Sequence, residues 1–265
     1  MTIWQSIFLA VLQGFTEFLP ISSSGHLVLF QKIFGITDPP VAFDVLLHLG
    51  TMIAIFVFLR KQIKEIIYGF FQKRNSQKKK ESIKIGLIIL IGTIPIIIVG
   101  LLLMKKIETI FNSLLLVGIS FFLTAIILFS TSLVGSQEKD IKVMGKGDSF
   151  FIGLFQALSI LPGVSRSGST ISAGFFRGIK REDAFNFSFF LGAVAILGAT
   201  TLQIPEIVNF NGLEFLTGII GFFIAFFTGF LALKILKPIV LKGKFYYFGI
   251  YCIFVGVICI IFSIM

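Results

Sequence analysis

The chain has 265 residues, of which 56% are hydrophobic and 14% charged, and its mean hydropathy is +1.00. Soluble domains run near a quarter charged, so this composition excludes a chain solvated by water on every side. The net charge of +10 would suit a nucleic-acid binder, but the basic residues lie in short segments between apolar runs, which excludes that class.

The opening stretch MTIWQSIFLAVLQGF has no basic n-region, so no cleavable signal peptide is expected. Residues 3–19 are apolar, break at Pro20, pass into ISSSGH and resume as LVLF at 27–30. The spans follow at 43–59, 83–104 and 110–134, and later at 184–204, 213–236 and 245–265, each long enough to cross a hydrocarbon core of roughly 30 Å. Between the third and fourth spans, residues 150–161 break at Pro162, pass into GVSRSG and resume as TISAGFF at 170–176. A short apolar arm, a polar Gly/Ser/Pro turn and a second short arm predict a re-entrant helical hairpin. Irregular backbone at membrane depth is tolerated only where protein or a wet cavity covers it. Cys252 and Cys259 share the last apolar span, so neither a disulfide nor a metal site is expected from them. The many phenylalanines (34 of 265) read as packing and lipid contact.

Threading the six spans with the 60–84 loop in the cytoplasm places nine basic residues there, three at 135–149, three at 177–183 and four at 234–244 on the same side. Only Lys32, Lys105 and Lys106 fall outside, with Arg166 inside the second polar turn. This asymmetry sets the expected orientation, with both termini outward, and KRNSQKKK at 73–80 reads as an anchor for anionic headgroups.

An internal repeat is visible. At a shift of 143 residues QGFTEFLPISSSG (13–25) falls on QALSILPGVSRSG (156–168), and at 142 FDVLLHLG (43–50) falls on FNFSFFLG (185–192). Each copy holds one hairpin and three spans. Three is odd, so the second copy is expected to be inverted, with the two hairpin tips meeting near the midplane. The expected fold is therefore an all-α polytopic membrane protein with an inverted-topology repeat. It forms a single domain over 1–265, with copies at about 1–134 and 149–265.

The two turns concentrate the chemistry. Ionisable groups at membrane depth are costly and so point to function by default. Arg166 offers paired planar donors that match phosphate oxygens. Its neighbours Ser165, Ser167, Gly168 and Thr170, with Ser22, Ser24 and Gly25 from the first turn, are candidates to complete an anion site, aided by a short helix starting after Gly168. Glu17 lies four residues from Gln13 on one helical face and could act as general base, cation ligand, proton relay or partner of Arg166. His26 is the acid–base candidate by type and Ser23 the preferred nucleophile, although spacing does not separate it from Ser22 or Ser24. Asp44 and His48 read as a hydrogen-bonded pair at a helix start, with contact to the site or a metal as the alternative, and Glu182 with Asp183 as acidic residues suited to a helix N-terminus. No Walker loop, dinucleotide fingerprint or zinc cluster is present, so no organic cofactor is expected.

QGFTEFLPISSSGH and PGVSRSGST together resemble the paired signatures of the undecaprenyl-diphosphate phosphatase family, of the bacitracin-resistance type, over essentially the whole chain. The resemblance implies a bacterial inner-membrane enzyme that hydrolyses a C55 polyprenyl diphosphate to the monophosphate and inorganic phosphate. Such an enzyme recycles the lipid carrier of peptidoglycan synthesis and confers bacitracin resistance. It also implies dependence on a divalent cation (Mg2+ or Ca2+), an active site open to the outer side, and catalytic roles for Glu17, Ser23, His26 and Arg166. Partners would be the lipid substrate, membrane lipids and, in some arrangements, a second copy as homodimer. The family glutamate that would pair with Glu17 as metal ligand is replaced here by Gln13. A flippase or transporter for an anionic polyprenyl lipid is the rival reading, since an inverted repeat with midplane hairpins suits alternating access.

Overall fold

A computed structural model describes residues 1–36, 41–111, 113–203 and 212–264. Among them the secondary structure is helical throughout, in twelve α-helices with short 3-10 segments between some of them. The chain is a polytopic membrane protein: among the described residues five helices are long and apolar enough to cross a bilayer, and a bent pair supplies a sixth candidate. Their outer faces carry large exposed apolar side chains, among them Leu90, Ile97 and Leu102, then Phe223 and Phe227, then Phe254 and Ile261. Such faces are stable only against lipid.

Helix α1 (Ile3–Phe18) starts on a capping box in which Thr2 and Gln5 satisfy each other's backbone N–H groups. It stops at Leu19 because the residue before a proline is driven out of the α region. Four residues later α2 (Ser23–Ile33) begins, closing the first hairpin. Helix α3 (Val41–Phe58) meets α4 (Arg60–Phe70) at a 73° bend around the buried Leu59. Here the sequence reading needs correction: the basic segment 60–84 is no simple loop. Its first part is the amphipathic helix α4, with Arg60, Lys61 and Lys64 exposed, and its last part opens α5 (Gln77–Leu103). Charge density hides the apolar period that seats Ile63 and Ile66 on the core.

After the short α6 (Ile107–Phe111), α7 (Leu114–Ser130) starts on a Ser113 cap, four residues later than the expected span at 110–134. The second hairpin is α8 (Lys146–Leu158) and α9 (Arg166–Phe176), followed by α10 (Arg181–Leu202), α11 (Gly212–Leu241) and α12 (Phe248–Ile264). The expected span ends at 204 and 265 lie outside the described residues. At 27 and 30 residues, α5 and α11 are about 40–45 Å long, so they exceed the hydrocarbon thickness and reach into the headgroup zones.

Each hairpin arm lies along a long span. Helix α1 packs on α11 and α8 on α5, while α11 also packs on α3 and α12 on α7. Helix α9 sits among α7, α8 and α10. Its base is fixed by Asp148, which accepts from Gly145 N (2.9 Å), Lys139 Nζ (3.0 Å) and Arg177 Nε (2.8 Å). One buried carboxylate thus caps α8 and ties both ends of the second hairpin together. Glu182 and Asp183 fall in the first turn of α10, and Asp183 accepts from Ile141 N at 2.9 Å. These ties hold the second hairpin rigidly against the spans. Its tip is thereby placed at a defined spot.

Candidate active site

The two tips touch. Ser22 Oγ accepts from Gly163 N at 3.0 Å, and Ser167 Oγ donates to Leu19 O at 3.5 Å. Contact is this close because the facing residues are small: a Cβ on Gly25 would lie 2.9 Å from Gly163 Cα and 2.7 Å from the Phe121 ring. Gly163 itself sits at φ +101, where only glycine is unstrained. Thr124 of α7 splints this tip, its Oγ1 donating to Gly163 O (2.7 Å) and accepting from Ser165 N (3.0 Å).

The same cap is built at both tips. Ser22 Oγ accepts from Gly25 N (3.3 Å) with Ser24 Oγ at 3.3 Å, and Ser165 Oγ accepts from Gly168 N (3.1 Å) with Ser167 Oγ at 3.3 Å. This corrects the helix start expected after Gly168: α9 begins at Arg166, capped by Ser165. The N–H groups of Gly25 and Gly168 are therefore spent inside their caps, and Ser22 and Ser165 shape the tips. The first N–H groups of α2 and α9, at Ser23, Ser24, Arg166 and Ser167, are the ones such a geometry leaves for an anion. Two helix N-termini converge on one point.

Glu17 stands at that point, buried. Its Oε1 accepts from Arg166 Nη2 at 2.6 Å, and its Oε2 accepts from Ser23 Oγ at 2.5 Å and Gln13 Nε2 at 3.1 Å. The other guanidinium nitrogen, Arg166 Nη1, is buried and has no partner among the described residues. A buried unmet donor costs about 1–3 kcal/mol, more when charged, and a bound phosphate oxygen would relieve it. Gly192 of α10 makes room for this arrangement, since a Cβ there would lie 1.4 Å from Nη1. Thr170 is part of the support, donating to Arg166 O (2.8 Å) or sharing a hydrogen with Ser188 Oγ (2.5 Å).

Structure and sequence part company at the histidines. His48 Nδ1 is bonded to the backbone carbonyl of Asp44 (2.8 Å), not to its carboxylate, and His48 Nε2 lies 3.8 Å from Glu17 Oε2. The Asp44 carboxylate takes Gln31 Nε2 instead, at 3.3 Å. Asp44 and His48 are thus hydrogen-bonded at the helix start through the Asp44 backbone, and His48 also reaches the Glu17 cluster, the alternative reading for this residue. His26 is placed apart from that cluster. Its Nδ1 meets Ser22 O at 2.7 Å and its Nε2 meets Tyr251 OH at 2.8 Å. It thereby holds Ser22, which at φ +64 is the only non-glycine residue with positive φ among the described residues, a conformation that costs about 1–3 kcal/mol.

Residues 6–258 match the family described as bacitracin resistance protein BacA. This chain belongs to the BacA family. Proteins named undecaprenyl-diphosphatase resemble it throughout: one from Desulforapulum autotrophicum is 40% identical, covering 98% of both chains. Another from Methanococcus maripaludis is 40% identical over 94% of this chain and 96% of its own, and one from Carboxydothermus hydrogenoformans is 39% identical over 97% and 96%. The residues present can be tested against the divalent cation that the sequence resemblance implied. Among the described residues no group of three or more His, Cys, Asp or Glu side chains could form a protein-only metal cage. The donors that fit are fewer: the Glu17 carboxylate and Gln13 Oε1, which is buried and without a partner. Such a set suits a hard ion that takes its remaining ligands from water and substrate phosphate.

Proposed function

We propose that this protein hydrolyses undecaprenyl diphosphate to undecaprenyl phosphate and inorganic phosphate, recycling the lipid carrier of cell-wall synthesis and conferring bacitracin resistance. The names of its full-length relatives support that substrate, and hydrolysis rather than flipping. The observation that carries the mechanism is the chain Arg166–Glu17–Ser23, with bonds of 2.6 and 2.5 Å and one guanidinium nitrogen left over.

The terminal phosphate binds Arg166 Nη1 and the N–H groups at the starts of α2 and α9. Arg166 Nη2 turns from Glu17 towards phosphate, and Glu17 Oε2 keeps the Ser23 hydroxyl. Ser23 Oγ attacks the terminal phosphorus, its proton passes to Glu17, and the bond to the bridging oxygen breaks. The prenyl monophosphate leaves. His48, one-third exposed beside Glu17, carries the proton outward and resets the carboxylate. Water then attacks the phosphoserine, giving its proton to Glu17, and Ser23 Oγ leaves, recovers a proton and frees inorganic phosphate. Most of the rate comes from positioning and charge neutralisation, as phosphoryl transfer requires. A divalent cation, Mg2+ or Ca2+, held by Glu17 and Gln13 would add neutralising charge on the diphosphate oxygens.

The internal repeat and the distribution of basic residues support a setting in which the two halves are inverted and the basic loops lie in the cytoplasm of the cell membrane. The family resemblance adds a site that opens outward, with the prenyl tail between spans. The test is phosphate release from undecaprenyl diphosphate by the purified protein in detergent. Turnover that disappears with Arg166→Ala supports the reading, and turnover unaffected by Arg166→Ala ends it.

A further inference from the structure

Resting on the reading of Ser23 as nucleophile, we propose that His26 and Tyr251 form a strut that holds the Ser23 elbow in its reactive shape, which makes Tyr251 a positioning residue for the reaction.

The elbow needs a prop. Ser22 holds φ +64 and ψ 101 immediately before Ser23, and nothing in a serine side chain favours that region. Four contacts keep it there. Gly25 N and Gly163 N donate to Ser22 Oγ, His26 N donates to Ser22 O at 3.3 Å, and His26 Nδ1 lies 2.7 Å from the same carbonyl. The last two act on the peptide plane itself, and the ring contact is the shorter. A trans peptide points its C=O and N–H in opposite senses, so a Ser22 carbonyl tied to the His26 ring turns the Ser23 N–H away from that ring. That N–H belongs to the first turn of α2, where no intrahelical acceptor exists.

The Ser22 carbonyl decides which way His26 bonds, and Tyr251 supplies the partner that orientation needs. A carbonyl oxygen only accepts, so Nδ1 must carry the hydrogen; in the neutral ring Nε2 is then an acceptor, and the Tyr251 hydroxyl 2.8 Å away is its donor. The Tyr251 and His26 rings lie nearly parallel, at 9° with centroids 5.7 Å apart, while Phe121 closes on His26 edge-on at 5.3 Å. The imidazole is thus clamped by two aromatic rings with both nitrogens engaged. It is built as a support. Tyr251 comes from α12, 225 residues away, so the last helix takes part in shaping the first hairpin.

Tyr251→Phe keeps the ring and removes only the donor. The expected result is a kcat lower by about tenfold, the weight of one buried hydrogen bond, with KM within about twofold. His26→Gln retains an amide donor for Ser22 O but cannot transfer a proton; it should keep a measurable kcat where His26→Ala has none. The chain has two histidines, so ring-15N NMR of the detergent-solubilised protein reads each directly, His26 being assigned by its loss in His26→Gln. The strut predicts the Nδ1–H tautomer in the wild type and a displaced Nε2 signal in Tyr251→Phe. The proposal is overturned if Tyr251→Phe leaves both the His26 signals and kcat unchanged, or if His26→Gln is as inactive as His26→Ala. The NMR arm does not depend on turnover. A shifted His26 signal beside an active Ser23→Ala would overturn the nucleophile reading while leaving the strut in place.

Discussion

Arg166 and Glu17 stand 149 residues apart in the chain and 2.6 Å apart in the fold, and the pair is buried where two hairpin tips meet. A buried pair is poor evidence for stability, because desolvating both charges offsets most of their attraction. Its value here is positional: Glu17 keeps the guanidinium at the anion site while Nη1 stays free.

Arg166→Lys keeps the charge and loses the fork. A single ammonium cannot hold Glu17 and bridge two phosphate oxygens as a planar guanidinium does. Steady-state kinetics should show kcat/KM lower by about 10³-fold, within the range of a phosphoryl-transfer arginine.

Gly192→Ala tests the seat of Arg166. An alanine raises the helix propensity of an interior position by about 1 kcal/mol, so α10 should be no less stable. Its Cβ nevertheless falls on the guanidinium, 2.3 Å from Cζ. Activity should drop by about 10²-fold, as when one preorganised transition-state donor is lost, with helix content by circular dichroism unchanged. Normal turnover in Gly192→Ala would mean that Arg166 works from another position.

His48→Gln keeps a side chain able to bond Glu17 but removes proton carriage. A group contributing general acid–base catalysis is worth about 10²-fold or more, so kcat should fall by that order while KM holds. An unchanged kcat would assign proton handling elsewhere.

Gln13→Glu places a second carboxylate beside Glu17, in the position of the present 3.1 Å bond. Two carboxylates bind a hard divalent cation better than one carboxylate and an amide. The cation concentration giving half-maximal activity should therefore fall; a rise, or no change, would remove Gln13 from any cation site.

The apolar spans are legible in the sequence because hydrocarbon demands length, and runs such as 83–104 and 245–265 meet that demand without help from packing. Helix α4 is not, because Arg60, Lys61 and Lys64 make it read as a loop until Ile63 and Ile66 are seen on the core. The polar residues of the site announce themselves by type, since Glu17 and Arg166 are costly in an apolar chain. Their grouping is a tertiary fact. His48 reaches Glu17 only because α1 and α3 lie side by side, and the i+4 spacing from Asp44 favoured the local bond over contact with the site, whereas His48 makes both. Tyr251 sits in an unbroken apolar span, and no local pattern connects it to His26. Ser165 as a cap was within reach of sequence reasoning, for Ser-Arg-Ser-Gly mirrors Ser-Ser-Ser-Gly at 22–25, and the two tips fold alike.

The most direct test sets Ser23→Ala beside Ser24→Ala and the wild type, measuring phosphate release from undecaprenyl diphosphate in detergent. Ser23 Oγ touches Glu17 Oε2, whereas Ser24 Oγ faces the Ser22 cap. Turnover is expected in the wild type, substantial turnover in Ser24→Ala and none above background in Ser23→Ala. Full turnover in Ser23→Ala would contradict Ser23 as the nucleophile.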